Sequence, residues 1–362
     1  MHKESRAVSG KVLIAGAGGI VGRAVAAEYA AKGGWDIVGL GRRPPPGMAG
    51  FLAADLSDAD GCRAALAGLR GVTHLVYAAL FEKPDLGAGW LEADQIATNR
   101  AMLENLLDAL APTLPTLRHI TLLQGAKAYG VHLGQIPVPA KERAPRHIHP
   151  NFYWAQEDLL RERQRTAPWT FTIFRPGVVF GFAPGSAMNM LAAIGAYAAI
   201  SRELGLPLVY PGTGHRVTEA TDARLLARAI AWAGTSPAAD NETFNVTNGD
   251  VFAWENLWPA IARQFGMAPG LPHPMPLAAI MLDRAATWDA VVQRHGLVPG
   301  TLGALVGSSW QFADFAFSRT NSTSSHLSTI KLRQAGFHDC MDTEDAIVWW
   351  LAELQRRRIL PP

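Results

Sequence analysis

The run Val12-Leu13-Ile14-Ala15-Gly16-Ala17-Gly18-Gly19-Ile20-Val21-Gly22 decides how the rest of the chain is read. A short apolar stretch stops in glycines, and Gly22 to Ala31 then reads as a helix. Strand, tight turn, helix is the order a phosphate-binding turn needs. Glycine lets the backbone turn sharply and approach a pyrophosphate, which then rests on helix N–H groups at the positive end of the dipole. Gly16, Gly19 and Gly22 are spaced Gly-x-x-Gly-x-x-Gly, with Gly18, Ile20 and Val21 filling the turn and the helix entry. Alone, such a turn also serves plain packing; the flanking strand and helix favour a nucleotide.

Working outward, strand-like and helix-like segments alternate through the first half, which predicts a parallel sheet with crossover helices. Asp36–Leu40, Phe51–Ala54, His74–Ala78, His119–Leu123 and Phe171–Phe174 read as further strands, and Glu92–Ala109 as a helix with Ile96, Leu103, Leu106 and Leu107 on its apolar side. Residues 136–150 read as an ordered surface loop, and a helix starts near Asn151. Beyond Phe180 helices dominate: Ala187–Ser201, Ala220–Ala233, Trp254–Phe265, Leu277–His295 and Asp342–Arg356, with a short strand at Phe244–Val246. The expectation is an α/β protein: an extended Rossmann fold, that is a doubly wound parallel sheet, with a smaller, mostly helical C-terminal lobe. Residues 1–180 form the cofactor-binding domain, 181–362 the substrate-binding lobe, and 207–250 are partly interleaved with the first.

Composition bounds the function. The chain has 362 residues, 49% hydrophobic and 18% charged, with a net charge of +2 and no long basic run, so nothing points to nucleic acid. Arg356-Arg357-Arg358 reads as a solvated helix end. Cys62 and Cys340 are the only cysteines, which argues against a disulfide framework and for a reducing compartment. No signal peptide is read before Val12, and the most apolar stretch, 187–200, is shorter than the roughly 20 residues a membrane span needs. A cytoplasmic enzyme acting on a small molecule is expected, with a homodimer as its expected assembly.

The second strand ends in Leu40-Gly41-Arg42-Arg43, with no acidic residue to hold ribose hydroxyls. Arg42 and Arg43 suit a 2′-phosphate through bidentate, charge-assisted hydrogen bonds, so NADPH is the expected cofactor; solvated surface arginines are the plainer alternative. From topology, Asp55 and Leu56 face the adenine edge, and Ala78, Ala79 and Leu80 the ribose side.

Tyr153 looks like the tyrosine of a short-chain dehydrogenase/reductase, yet Glu157 stands where Tyr-x-x-x-Lys would have its lysine. The nearest replacement is upstream, Lys127 in Gln124-Gly125-Ala126-Lys127-Ala128-Tyr129-Gly130. The fifth strand also ends Thr121-Leu122-Leu123-Gln124, without the serine that carbonyl reduction usually enlists. An enone accepts hydride at its β-carbon and develops negative charge on its carbonyl oxygen. A preorganised Tyr153 hydroxyl would stabilise that charge, and a nearby Lys127 ammonium would raise the acidity of the phenol. A core tyrosine and a surface lysine remain the plainer readings of the two residues taken singly.

With these residues in hand, the chain resembles the progesterone 5β-reductase/iridoid synthase family, extended short-chain dehydrogenases that reduce carbon–carbon double bonds conjugated to a carbonyl. The blocks that carry the resemblance are Gly16–Gly22, Arg42-Arg43-Pro44, Lys127-Ala128-Tyr129, Asn151-Phe152-Tyr153-Trp154 through Glu157-Asp158, Arg175-Pro176-Gly177-Val178-Val179-Phe180-Gly181-Phe182, and Phe244–Phe252. The resemblance implies that Tyr153 and Lys127 are the catalytic pair. It also implies that Pro176, Val178, Ser186 and Met188, with Val179 in the same block, lie near the nicotinamide and its phosphates. Two departures, Trp154 for the family's second tyrosine and a shorter Lys127–Tyr153 spacing, bear on the substrate. The implied activity is NADPH-dependent 1,4-reduction of an enone or enal. The alternatives are a carbonyl or hydroxysteroid dehydrogenase, a nucleotide-sugar epimerase, and a non-catalytic NADP sensor.

Other residues have two readings each. Asn99 reads as an active-site amide or a helix cap. Phe152 or Trp154 reads as a pocket wall, and Met188, Met190 and Phe182 as pocket or core. Trp349-Trp350 reads as core. His132, His147 and His149 lack a cysteine or carboxylate at ligand spacing, so no metal site is expected. Ser186 lacks the His/Asp partners of a hydrolase nucleophile.

Overall fold

The computed structural model describes residues 9–212, 217–317 and 326–362; the expectation about a leader peptide concerns residues 1–8 and lies outside them. Its central element is a seven-stranded parallel sheet. The first six strands are β1 (Gly10–Ala15), β2 (Trp35–Gly41), β3 (Phe51–Ala53), β4 (His74–Tyr77), β5 (His119–Leu123) and β6 (Thr170–Pro176), and Glu242–Val246 is the seventh. Across the sheet the order is Glu242–Val246, β6, β5, β4, β1, β2, β3. Val12, Leu13, Ile14 and Ala15 are wholly buried, because helices cover both faces of the sheet. On one side α1 (Ile20–Lys32) packs against the helix Ala223–Ala233; on the other lie the helices Ala59–Leu66, Ala93–Ala109 and Phe152–Gln164. The strand order reverses between β1 and β4, and an open α/β sheet binds ligands at the carboxyl ends of its strands beside such a reversal.

The C-terminal helices build a separate apolar core around Met190–Glu203, of which residues 190–201 are all buried, with Trp254, Trp258, Trp288 and Trp310 packed about it. Three expected helices differ in extent. Met190–Glu203 starts three residues later than read, because Asn189 Oδ1 accepts from Ala192 N at 3.1 Å and caps it there. Residues 186–188 are thereby left as loop. Ala220–Asp222 is a strand paired with Val178–Phe180, and the helix begins at Ala223, where the Asp222 carboxylate caps Arg224 N at 2.7 Å. The stretch Leu277–His295 is broken into Leu277–Ile280 and Ala285–His295, with a single 3₁₀ turn between. Among the described residues no helix is long and apolar enough to cross a membrane.

Candidate active site

A cavity of about 1170 Å³ runs along the carboxyl ends of β1, β2 and β4 and under the C-terminal helices. Its cofactor end is built by the glycine turn. Gly16 sits at φ +81°, and a Cβ there would lie 2.6 Å from the carbonyl oxygen of Ala78, so glycine alone fits. At Gly18 a Cβ would meet only the Arg43 oxygen at 3.8 Å, which leaves the turn open towards the cavity. Gly19 caps α1 without any side-chain bond, so the helix entry offers its N–H groups to a ligand. Gly18, Gly19, Ile20, Val21, Arg42, Arg43, Asp55, Leu56, Ala78, Ala79 and Leu80 line this cavity, as does Gly16. Gly22 does not: it packs against the Gly16–Ala17 backbone, where a side chain would clash. Arg23, which the sequence reading passed over, also lines the cavity, its Nε donating to Gly18 O at 2.9 Å. Asp55 is engaged by Ser57 through both N–H and hydroxyl, bonds that hold its carboxyl below the usual range. Open glycines, uncapped helix entry and three guanidinium groups fit a phosphorylated dinucleotide.

The other end holds the expected catalytic pair. Asn151 caps the helix Phe152–Gln164 by accepting from Tyr153 N at 3.0 Å, while its Nδ2 donates to Lys127 O at 3.0 Å. One amide thus ties the turn that carries Lys127 to the helix that carries Tyr153. The Lys127 Nζ lies 5.7 Å from the centre of the Tyr153 ring, 5.3 Å from that of Phe152 and 4.4 Å from that of Trp90. The Tyr153 hydroxyl has no hydrogen-bond partner among the described residues and stands against Gly125, where a Cβ would come within 3.2 Å of it. Both residues line the cavity, and so do Pro176, Val178, Val179, Ser186 and Met188.

Burial, with the Glu82 carboxylate adding to it and the Arg175 guanidinium opposing it, raises the Tyr153 hydroxyl well above an ordinary phenol, so it stays protonated. Lys127 is itself lowered from the usual lysine range by burial, against the opposing pull of Glu82.

The two positions that lack the superfamily's usual residues are filled by partners of one another. Glu157 Oε2 accepts from Gln124 Nε2 at 3.0 Å, and Gln124 Oε1 accepts from Arg175 Nε at 2.8 Å. Arg146, Arg161 and Arg175 all lie within ion-pair distance of the buried Glu157 carboxylate, which is held below its ordinary range although burial opposes this.

The remaining candidates separate cleanly. Asn99 is neither an active-site amide nor a cap: fully buried, it brackets Phe81 by donating to its carbonyl oxygen and accepting from its N–H, both at 2.9 Å. Phe152 is a cavity wall, whereas Trp154 turns away to stack with His147 and Arg146. Met188 lines the cavity; Met190 and Phe182 belong to the C-terminal core. Trp350 is buried and donates to Asp222, while Trp349 is half exposed beneath Arg224. His132, His147 and His149 form a ring-stacked cluster, and no group of three or more metal-ligating side chains that could hold a metal ion occurs among the described residues. The sequence reading also missed Glu82, Trp90, Phe312, Phe315 and Glu219 in the cavity wall. Phe312 and Phe315 lie three apart in the helix Ser309–Phe317, which the sequence reading did not place; Glu82, Trp90 and Glu219 lie in no motif that would mark them.

Fold and site together define an oxidoreductase of the extended short-chain dehydrogenase/reductase class. Residues 56–361 match the family model of the PRISE-like Rossmann-fold domain. The chain is 31% identical over 374 residues to the (S)-8-oxocitronellyl enol synthase of Antirrhinum majus, covering 96% of this chain and 92% of that one. It is 32% identical over 352 residues to the enzyme of the same name from Catharanthus roseus, covering 91% and 87%. The chain therefore belongs to the progesterone 5β-reductase/iridoid synthase-like family. Solved structures share the fold at lower identity. The UDP-glucose 4-epimerase of Thermus thermophilus in complex with NAD matches with TM-score 0.63 at 20% identity over 94% of this chain and 99% of that one. The epimerase Mth375 of Methanothermobacter thermautotrophicus matches with TM-score 0.68 at 15% identity over 96% and 94%.

Proposed function

We propose that this protein catalyses NADPH-dependent 1,4-reduction of an α,β-unsaturated carbonyl compound. The observation that carries the reading is the placement of Tyr153. Its hydroxyl is protonated, free of hydrogen-bond partners among the described residues and on the cavity wall, with Lys127 beside it and the Gln124–Glu157 pair in place of the alcohol-dehydrogenase serine and lysine. When bound, NADPH supplies the hydride. The chain's own residues do the rest. Tyr153 donates a hydrogen bond to the substrate carbonyl oxygen as enolate charge grows there, an interaction worth a few kcal/mol in a dry site. Lys127 adds positive field, and Phe152, Trp90, Phe312 and Phe315 exclude water and seat the apolar body of the substrate. The enolate takes its proton at the α-carbon from solvent, giving the saturated carbonyl. Arg42 and Arg43, at the end of β2 where no acidic residue stands, support NADPH over NADH.

NADPH oxidation with a panel of cyclic and linear enones, followed by product analysis, tests the reading. Saturated carbonyl product, lost in both Tyr153→Phe and Lys127→Ala while NADPH binding persists, supports it. Allylic alcohol as product would mean carbonyl reduction instead, and absence of turnover with tight NADPH binding would mean a sensor.

A further inference from the structure

A carboxylate sits in the apolar half of the cavity. The Glu82 side chain is only 5% exposed, and its Oε1 lies 3.5 Å from Lys127 Nζ. Its Oε2 accepts from Gln95 Nε2 at 2.7 Å and from Trp90 Nε1 at 3.1 Å. The backbone on either side is fixed as well: Asn99 brackets Phe81, and Lys83 N donates to Gln95 Oε1 at 3.1 Å. A buried charge is expensive unless paired and hydrogen-bonded. Here three residues, Lys127, Gln95 and Trp90, satisfy one carboxylate.

We propose that Glu82 is a positioning residue of the active site, whose clamped carboxylate seats Lys127 as an ammonium between the rings of Trp90 and Tyr153. The inference rests on the proposed role of Lys127. The titratable groups facing the ammonium are Glu82 from the loop after β4, Tyr153 from its helix and His132 from the turn just after Lys127. Tyr153 keeps its proton, and His132 is pushed down to about 4 by burial and by Lys127 itself, so it is neutral near pH 7. Glu82 is therefore the anion that compensates Lys127. Its pull acts against the desolvation that lowers the amine. Without it the ammonium loses its proton at a lower pH, and the site loses its cation.

The test compares wild type, Glu82→Gln and the milder Trp90→Phe, which keeps the carboxylate and removes one of its donors. The Lys127 ammonium is followed directly by an NMR pH titration of ε-carbon-labelled lysine, assigned by Lys127→Met; the chain has only seven lysines. In Glu82→Gln the Lys127 titration and the basic limb of kcat/KM both move to lower pH by about one unit or more, and in Trp90→Phe by less, with NADPH affinity unchanged. A folded Glu82→Gln that binds NADPH and leaves the Lys127 titration where it was would overturn the proposal. The function reading fails separately, if wild type reduces no enone or Lys127→Met retains full activity; the NMR comparison still decides the role of Glu82.

Discussion

Gln124 Nε2 donates to Glu157 Oε2 at 3.0 Å, and that bond joins the two positions where this chain departs from an ordinary short-chain alcohol dehydrogenase. The departures are one change, not two. A glutamine at the end of β5 and a glutamate one turn after Tyr153 satisfy each other, and Arg175 completes the set through Gln124 Oε1. Gln124 Nε2 also reaches Tyr153 O at 3.2 Å, so the network braces the helix that presents the phenol. Asn151 Nδ2 donates to Lys127 O at 3.0 Å, which ties the cation proposed for the site to the same helix.

Restoring the usual lysine at this position should therefore damage the protein. Glu157→Lys places a cation among Arg146, Arg161 and Arg175 and strands the Gln124 donor. Breaking a buried charge network by removing one partner costs roughly 3–5 kcal/mol. Denaturant unfolding should show a loss of that order for Glu157→Lys and a smaller one for Glu157→Gln. Wild-type stability in Glu157→Lys would mean that the network is ornamental.

Asn151→Ala should separate stability from catalysis. Loss of an N-cap costs about 0.5–2 kcal/mol. The same substitution frees Lys127 O, so the turn that carries the lysine drifts relative to Tyr153. Enone turnover is expected to fall by tenfold or more while NADPH affinity stays within about twofold, since a misplacement of about 1 Å can cost a hundredfold in rate. Asn151→Asp, which keeps the cap and loses the donor to Lys127 O, should recover the stability and not the rate.

Arg42→Ala/Arg43→Ala should erase the preference for the phosphorylated cofactor. Both side chains stand on the exposed rim of the cavity, so each contributes less than a buried pair would. NADPH affinity is expected to fall roughly tenfold per arginine and NADH affinity to remain unchanged, measured by cofactor fluorescence. An equal loss for both cofactors would place the arginines on the pyrophosphate rather than on the 2′-phosphate.

The sheet and the glycine turn were legible because their residues state their environment: apolar runs such as Val12–Ala15 are buried on both faces and end in Gly or Asp. The strand Ala220–Asp222 was hidden because alanine and threonine suit helix entry too, and only the cap at Asp222 marks the change. The 3₁₀ turn inside 277–295 was hidden because apolar spacing continues across it. In the site, Tyr153 and Lys127 were visible by contrast with a known spacing. Glu82 was not: a carboxylate in a short charged loop reads as solvated, and its partners Gln95, Trp90 and Lys127 are dispersed along the chain.

Glu219 carries the last prediction. It lines the same cavity, is 6% exposed, and its Oε1 accepts from Leu327 N at 2.8 Å. Burial pushes its carboxyl up to about 8 from the ordinary 4.5, and the single N–H bond only partly opposes this. In the unfolded chain the group ionises near 4.5; in the folded chain it keeps its proton to about 8, so unfolding between these values releases a proton. Stability must then fall as pH rises across that window. The contribution is fully present below about 4.5 and gone above about 8. Glu219→Gln keeps the acceptor for Leu327 N and cannot ionise. Its Tm should lie near that of wild type at pH 4.5 and rise above it progressively towards pH 8, where the difference in unfolding free energy is on the order of a few kcal/mol. A wild-type Tm that runs parallel to that of Glu219→Gln across the window would show that the Glu219 carboxyl is solvated and ionised like any surface glutamate.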